Sequence, residues 1–170
     1  GNSRWDVIDL FRMAYALRPQ GVDWPADEEG VPSFRLELLT AANGIAHGDA
    51  HDAVSDVIAT IELTKLLKAR QPRLYQYLFN LRQKKAVLKQ LYPLGKSAVI
   101  HVSSMYSARQ SCLAVILPIC SHPTNSNGVI CVDLSSDVDA LLHGSADEIA
   151  RRVFTSSRDL AEGEQRIQLK

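Results

Sequence analysis

A chain of 170 residues can form one domain or parts of two. Hydrophobic residues make up 46% of it and charged residues 22%, and its 19 basic residues balance 19 acidic ones. This composition is typical of an ordinary soluble globular protein. The sequence contains no apolar run long enough for a membrane-spanning helix and no signal peptide, so we expect a cytoplasmic protein with no membrane partner.

The residue pattern in the first part of the chain predicts three helices, over residues 4–17, 33–42 and 52–68. Pro19 follows the first helix, as expected of a residue that cannot continue one. Ser33 is predicted to cap the second helix, and Asn43-Gly44 has the residue types of a helix C-terminus. Asp52 is predicted to cap the third, because its carboxylate can accept from free backbone N–H groups of the first turn.

Asp56 lies near the start of the third predicted helix. Apolar residues recur there at the spacing of one helix face, which predicts a buried stripe made of Val54, Val57, Ile58 and Ile61. Asp56 lies beside this stripe among small residues. Small neighbours leave room for a ligand or another backbone to approach the carboxylate.

The helical pattern breaks at Gln71-Pro72, which we predict to be the boundary between a domain of residues 1–70 and one of residues 71–170. One more helix is predicted from Leu74 to Leu91. Strands are then predicted over 98–102, 113–119 and 129–134, and a polar turn between the last two predicts an antiparallel pair. Two short helices are predicted at the end, over 136–143 and 145–154, the second capped by Ser145.

The three cysteines are odd in number, widely spaced and form no CxxC pair. They lie in apolar, strand-like surroundings, and we expect small buried thiols in a reducing cytosol. A zinc site is not expected, because the neighbouring histidines lack paired ligand spacing. The cysteines are Cys112, Cys120 and Cys131, and the histidines are His101, His122 and His143.

Positive charge is concentrated between residues 71 and 100, where six basic residues and no acidic one occur. Aromatic residues alternate with them and could stack on bases or fill a partner's pocket. Such a block can also be a solvated face or a linker. An acid-rich segment beside a basic track suits a polyanionic substrate.

His51 and Asp56 place an imidazole and a carboxylate five residues apart, where a loop enters the third helix. With Asp52 as the cap, His51 lies just outside the helix and is free to move, while Asp56 is held rigidly. A mobile base beside a rigid metal ligand suits hydrolysis by a metal-activated water. Taken alone, the histidine could equally be a surface residue and the aspartate a solvated one.

The pattern His51-Asp52-Ala53-x-x-Asp56 at a helix start resembles the third exonuclease motif of the DnaQ-like 3′–5′ exonucleases, which use four acids and a histidine. Further segments resemble those of the bacterial exodeoxyribonuclease I family. These segments are residues 15–19, 32–36, 42–45, 70–74, 101–103 and 122–123. The resemblance covers essentially the whole chain and is looser after about Ser104.

This resemblance implies an α/β fold for the complete protein. Within a segment of this extent, the composition would be α+β. Residues 1–70 would be the C-terminal helical part of an RNase H-like exonuclease domain. Residues 71–170 would be a linker helix and the N-terminal part of an SH3-like β domain. The family implies a monomeric enzyme that degrades single-stranded DNA from its 3′ end to mononucleotides with two Mg²⁺ ions, in DNA repair and recombination.

The functional residues of the family transfer to eight positions. The resemblance gives His51 the role of general base and Asp56 the role of a metal-binding carboxylate. Basic residues that match DNA-contacting positions are Arg12, Arg35 and Lys84. Residues that match the site for the acidic C-terminal tail of single-stranded-DNA-binding protein are Arg18, Tyr77 and Lys96. Two cations beside an aromatic ring can hold a terminal carboxylate and an apolar side chain.

The family also has an Asp-x-Glu pair and a further Asp, which would lie upstream of Gly1. The chain lacks an initiator Met and ends in strand-like residues, as expected of a segment of a longer protein. One aspartate cannot hold two Mg²⁺ ions, which bind hard oxygen ligands and give up water reluctantly. We therefore expect this chain to be an internal nuclease fragment that is inactive alone.

Three other interpretations fit parts of the sequence. The His51-Asp52 doublet also occurs in HD-type metal phosphohydrolases, but these need a metal-binding His on an earlier helix. Residues 1–46 contain no His, and His47 lies in the same loop as the doublet. A non-catalytic module could bind single-stranded DNA or a protein through the basic stretch 65–96. The third interpretation is a partner-binding SH3-like domain with a vestigial nuclease segment.

Overall fold

The computed structural model describes residues 5–48 and 52–169. They form two compact units. The first unit contains residues 1–87 and 102–113, and the second contains residues 88–101 and 114–170. No helix in the described ranges is both long and apolar enough to cross a membrane.

Helices dominate the first unit. They are α1 (Ile8–Leu17), α2 (Leu36–Ala42), α3 (Ala53–Arg70) and α4 (Pro72–Leu81), and α5 (Lys84–Leu91) begins there. Helix α3 packs against α2 and α4, and α1 packs against α4. Their apolar sides bury one core, which stabilises the unit through the hydrophobic effect. The core residues are Leu10, Phe11, Ala14, Val22, Leu39, Leu63, Leu67 and Leu78.

Capping residues place two helix ends where the sequence predicts them. The Asp52 carboxylate accepts a hydrogen bond from the Ser55 backbone N–H at 3.0 Å, which confirms it as the cap of α3. Gly44 follows α2 with a φ of 63°, a conformation that glycine adopts without strain. Asn43-Gly44 therefore ends α2 as predicted.

Helix α1 begins at Ile8 rather than at residue 4. The Asp6 carboxylate accepts the Ile8 backbone N–H at 3.1 Å, which satisfies a donor of the first turn from outside the helix. Trp5 precedes the helix, and its ring packs edge-on against Tyr75 and Phe79, with centroid distances of 5.7 and 5.5 Å. These aromatic contacts hold Trp5 against α4, so it is not part of helix α1.

Helix α2 begins at Leu36, so the prediction that Ser33 caps it is wrong. Pro32 pairs with Ala26 in an isolated antiparallel bridge, which keeps the chain extended up to this point. The proline also has no backbone N–H for a helical bond. The helix therefore begins two residues later than predicted, after a short-range pairing of the preceding segment.

The prediction of a buried stripe on α3 is wrong for the described chain. Val54, Val57, Ile58 and Ile61 are between 46% and 65% exposed. The residues that α3 buries are instead Ala59, Leu63 and Leu67. Helical periodicity identifies an apolar face, but it does not say whether another segment covers that face.

The helix predicted from Leu74 to Leu91 is divided into α4 and α5. The Arg82 guanidinium donates to the Phe79 carbonyl at 2.6 Å, an oxygen that a continuous helix would use for the N–H of Gln83. The Gln83 N–H donates to the Asn80 carbonyl instead, at 3.2 Å. The side-chain bond thus accompanies a tight turn between the two helices.

The second unit contains most of a three-stranded sheet, in the order β1 (Val99–Val102), β2 (Leu113–Ser121) and β3 (Val129–Asp133). Strands β2 and β3 are antiparallel, which confirms the predicted pair. Their register shifts between Pro118 and Cys120, next to a residue that has no N–H to donate to the ladder. The sheet and the helices together confirm the predicted α+β composition.

Two short helices, α6 (Asp139–His143) and α7 (Ala146–Phe154), follow β3. Ser145 accepts the Glu148 backbone N–H at 3.2 Å, which confirms it as the cap of α7. The buried Arg152 side chain donates to the Gln165 carbonyl and, at 2.8 Å, to the Asp137 carboxylate. This hydrogen bond holds the pKa of Asp137 below its usual range.

Cysteine burial differs from the prediction at one position. Cys112 and Cys131 are buried, and burial raises the pKa of both thiols. Cys120 is exposed and lies just after the register shift, near the end of β2. All three thiols are free.

Candidate functional site

Asp56 lies in the first turn of α3 and is held by a histidine from the preceding loop. Its Oδ1 is 2.8 Å from Nε2 of His47. The His47 side chain is 9% exposed and the Asp56 side chain 42% exposed. The carboxylate is therefore bound on one side by a shielded imidazole and open to solvent on the other.

The second nitrogen of the His47 ring faces helix α2. Nδ1 lies 3.4 Å from the hydroxyl of Thr40, a residue that is 1% exposed. The Thr40 hydroxyl also lies 2.9 Å from the carbonyl oxygen of Leu36 and 3.0 Å from that of Glu37, and these two acceptors share its single hydrogen. The imidazole thus lies between a buried hydroxyl of α2 and the carboxylate of α3.

The loop that carries His47 is anchored on both sides. The Asn43 side chain accepts the Asp23 N–H at 2.9 Å and donates to the Asp23 carbonyl at 2.8 Å. The Ile45 N–H donates to the Thr40 carbonyl at 2.9 Å. At Gly48, an added Cβ would lie 3.3 Å from the Ser55 hydroxyl, so this part of the loop runs close against α3. These contacts give His47 a defined place.

The predicted general base, His51, lies outside the described residues, between the 43–48 loop and the Asp52 cap. Within the described ranges, Asp56 Oδ2 accepts no hydrogen bond, so it is available to a cation. A carboxylate oxygen suits a hard divalent ion. In the same ranges, no three His, Cys, Asp or Glu side chains gather into a group that could hold a metal. Asp56 therefore fits as one ligand of such a site and not as a complete site.

A cavity of about 660 Å³ lies within the first unit, beside α3. Arg12 and Arg35 both line it, so the structure brings together two of the three residues predicted to bind DNA. Thr60 lines it as well, one turn beyond Asp56 on α3. Apolar and aromatic side chains form much of the wall, among them Phe11, Phe34, Leu36, Tyr106 and Cys112.

The two arginines occupy different environments. The Arg12 side chain is 14% exposed, donates to the Asp9 carboxylate at 2.7 Å and lies 6.0 Å from the Phe34 ring centroid. Burial raises the pKa of the neighbouring Cys112 thiol, although the Arg12 charge and hydrogen bond partly oppose that rise. Arg35 is exposed at the start of α2 and makes no side-chain hydrogen bond to the described residues. Arg12 is therefore a packed part of the cavity wall, whereas the exposed Arg35 side chain can turn towards a ligand.

The family model of the exonuclease I SH3-like domain matches residues 82–170, which is more than half of the chain. The chain belongs to the exonuclease I family. This confirms the resemblance seen in the sequence and the prediction of an SH3-like region in the second half.

Relatives match nearly the whole segment. Exodeoxyribonuclease I of Escherichia coli K12 is 46% identical over 161 residues, which cover 95% of this chain and 34% of that protein. The structure of exonuclease I from Methylocaldum szegediense matches with a TM-score of 0.93 at 46% identity, over 100% of this chain and 36% of that one. E. coli exonuclease I in complex with a dA16 oligonucleotide matches with a TM-score of 0.90 at 45% identity. The match covers 99% of this chain and 36% of that one.

This exonuclease I segment spans about a third of the length of the curated relatives that it matches. Lys84, the third residue predicted to bind DNA, is exposed at the first position of α5. Arg18 and Tyr77, predicted to bind a protein tail, are exposed in the first unit, where the Arg18 guanidinium donates to the Leu17 carbonyl at 2.5 Å. Lys96 is exposed in the second unit.

His47 is the residue that sequence reasoning missed in this exonuclease I segment. From the sequence alone, His47 matters only as a misplaced candidate ligand for an HD-type phosphohydrolase. The available signal was its place in a short loop directly before the motif, since a loop returning to a helix N-terminus can bring its side chain beside the first turn. Without the Asn43 and Ile45 anchors, the direction of the ring was not predictable.

Proposed function

We propose that this segment forms part of a divalent-metal-dependent exonuclease that degrades single-stranded DNA. The observation that carries the proposal is the position of Asp56. Its carboxylate is held at the start of α3 by His47, with one oxygen available, one turn from a cavity that Arg12 and Arg35 line. The segment also matches exonuclease I over nearly its whole length.

Asp56 would contribute one oxygen ligand to Mg²⁺ in the complete protein. The described residues gather no group of three His, Cys, Asp or Glu side chains around Asp56, so further ligands would come from outside the described residues. E. coli exonuclease I has been solved in a zinc-bound form with single-stranded DNA, which supports a divalent site in the family. A bound divalent cation supplies charge neutralisation and a more acidic water in phosphodiester hydrolysis.

We propose that Arg12, Arg35 and Lys84 bind the DNA. Arginine side chains form bidentate hydrogen bonds to phosphate, and aromatic rings such as Phe34 stack on bases. The cavity offers both kinds of contact beside α3. The dA16 complex of E. coli exonuclease I supports single-stranded DNA as the substrate.

His51 stays our proposed general base. In the sequence it directly precedes Asp52, the cap of the helix whose first turn carries Asp56. A base there could take a proton from the attacking water. The histidine would then act on a water that Asp56 helps to locate.

A second proposed contact is the acidic C-terminal tail of single-stranded-DNA-binding protein, received by Arg18, Tyr77 and Lys96. All three side chains are exposed, and Tyr77 is 51% exposed. A solved complex of exonuclease I with this C-terminal segment supports such a partner in the family.

The free thiols support the cytoplasm as the compartment. We also propose a role in DNA repair and recombination, as the resemblance to the family implies.

The test uses the full-length protein that carries this segment, single-stranded DNA labelled at its 5′ end, and Mg²⁺. D56N is expected to abolish 3′ digestion, because an amide cannot replace a carboxylate as a charged metal ligand. H51A is expected to slow digestion strongly, since general-base catalysis contributes about 10²- to 10⁴-fold. Full activity of D56N would contradict the proposal. Unaltered Mg²⁺-independent DNA binding without any cleavage would favour the non-catalytic module.

A further inference from the structure

We propose that His47 is a positioning residue for the Asp56 carboxylate, holding Oδ1 so that Oδ2 is presented to the metal. This inference rests on the proposed function of Asp56 as a metal ligand. The contact that carries it is the 2.8 Å distance between Nε2 of His47 and Oδ1 of Asp56. It assigns a role to a side chain that is not among the proposed metal or DNA ligands.

The direction of the hydrogen bond follows from the chemistry of the two groups. An ionised carboxylate can only accept, so Nε2 of His47 carries the hydrogen and donates it. Oδ2 accepts nothing within the described residues. The imidazole therefore occupies one oxygen of Asp56 and leaves the other oriented, with no hydrogen bond from any residue that the structure describes.

The imidazole can do this because its own position is restrained. Its Nδ1 lies 3.4 Å from the Thr40 hydroxyl, which is buried and bonded to carbonyls of α2. The loop before it is tied down through Asn43 and Ile45. The His47 side chain is only 9% exposed, so water competes little for Nε2.

Asp56 needs such a partner because its side chain is 42% exposed. An exposed aspartate samples several rotamers, and ordering it on a metal costs side-chain entropy. A hydrogen bond to the other oxygen selects one orientation before the metal arrives. Partners of this kind typically change metal affinity by about 10- to 100-fold when they are removed.

The experiment measures Mn²⁺ binding to the full-length protein by titration calorimetry, without DNA. H47F keeps a ring of similar size but has no donor, and its Mn²⁺ dissociation constant is expected to rise about 10-fold or more. H47Q is expected to retain most of the affinity, because its amide can donate to Oδ1. H143Q changes an exposed histidine of α6 and is the matched control, with no change expected.

H47N keeps the loop polar, but its side chain is too short to reach Asp56. It is expected to lose affinity as H47F does, and it replaces H47F should that variant fail to fold. Thermal unfolding without metal checks that H47N and H47Q are equally stable. Equal losses of affinity in H47Q and H47N would overturn the inference, because they would indicate packing rather than a donated hydrogen bond.

The double variant H47N/D56N shows whether His47 acts through Asp56. Removing His47 is expected to change Mn²⁺ affinity little once Asp56 is already replaced. An undiminished further loss would overturn the inference. Weakened binding in D56N with normal binding in H47N would also overturn it, while leaving the proposed function intact. Normal Mn²⁺ binding in D56N would instead overturn the proposed function.

Discussion

Nε2 of His47 and Oδ1 of Asp56 lie 2.8 Å apart, joining the loop that leaves α2 to the first turn of α3. The two residues are separated by the motif's own histidine and by the Asp52 cap. The start of α3 is thus secured twice, once through its backbone N–H groups and once through the carboxylate that we propose for the metal.

Replacement of Asp52 by alanine is expected to destabilise the segment by about 1 kcal/mol, because the Ser55 N–H loses its acceptor. D52N is the matched control, since its side-chain oxygen can still accept this bond. Urea unfolding followed by circular dichroism measures the difference. Equal stability of the wild type and D52A would show that the cap contributes nothing.

Ile58 is 54% exposed, so I58K is expected to leave the free energy of unfolding of the 170-residue chain nearly unchanged. It should reduce self-association, because exposed apolar patches favour contact between molecules. L63A, in the core of the same helix, should cost about 2–5 kcal/mol. Sedimentation velocity measures the self-association, and urea unfolding measures the stability of the two variants. A large loss of stability in I58K would mean that the stripe is buried.

Arg35 is expected to contribute mainly to DNA affinity, and Arg12 to both affinity and stability. R35Q in the full-length protein should lower the slope of log K against log salt by about 0.7, as expected for one lost phosphate contact to a single strand. R12Q should also lower the melting temperature, because Arg12 is 14% exposed and bound to Asp9. Fluorescence anisotropy with a labelled oligonucleotide, together with thermal melts, measures both effects.

K65Q changes an exposed lysine of α3 that pairs with Glu62, and it serves as the control for both arginine variants. Neither the salt dependence of its DNA binding nor its melting temperature should differ much from the wild type. If R35Q retained the wild-type salt slope, Arg35 would not contact phosphate. If R12Q melted as the wild type does, the pairing with Asp9 would be unimportant for stability.

Glu164 gives a pH-dependent contribution in the second unit. The Arg151 guanidinium makes two hydrogen bonds to its carboxylate and lowers the Glu164 pKa to about 2. Because the pKa in the folded state is depressed, this stabilisation is present above the unfolded pKa of about 4.5. It is lost as the pH falls towards 2.

The stability difference between the wild type and E164Q is therefore expected to be present at pH 6 and to shrink as the pH falls below about 4.5. Urea unfolding at a series of pH values measures it. E162Q removes a neighbouring exposed carboxylate and should show no such dependence. A difference between wild type and E164Q that stays constant down to pH 2 would show that the Arg151 contact is not made.

Local chemistry made several features predictable. Asp52, Asn43-Gly44 and Ser145 end or begin helices as expected, because caps act on backbone groups within three or four residues. The β2–β3 pair was predictable because a polar turn joins two apolar runs. Features that depend on contacts beyond three or four residues were predicted less well. Ser33 does not cap α2, since a bridge to Ala26 holds the preceding proline.

The sequence by itself determined the family and the position of Asp56 at the start of a helix, because motif spacing and capping are encoded within a few neighbouring residues. Only the tertiary structure decided that His47 binds Asp56 and that Arg12 and Arg35 line one cavity. It also decided that the apolar stripe of α3 is exposed. These outcomes depend on which separate segments pack together, and periodicity along one helix carries no information about its neighbours.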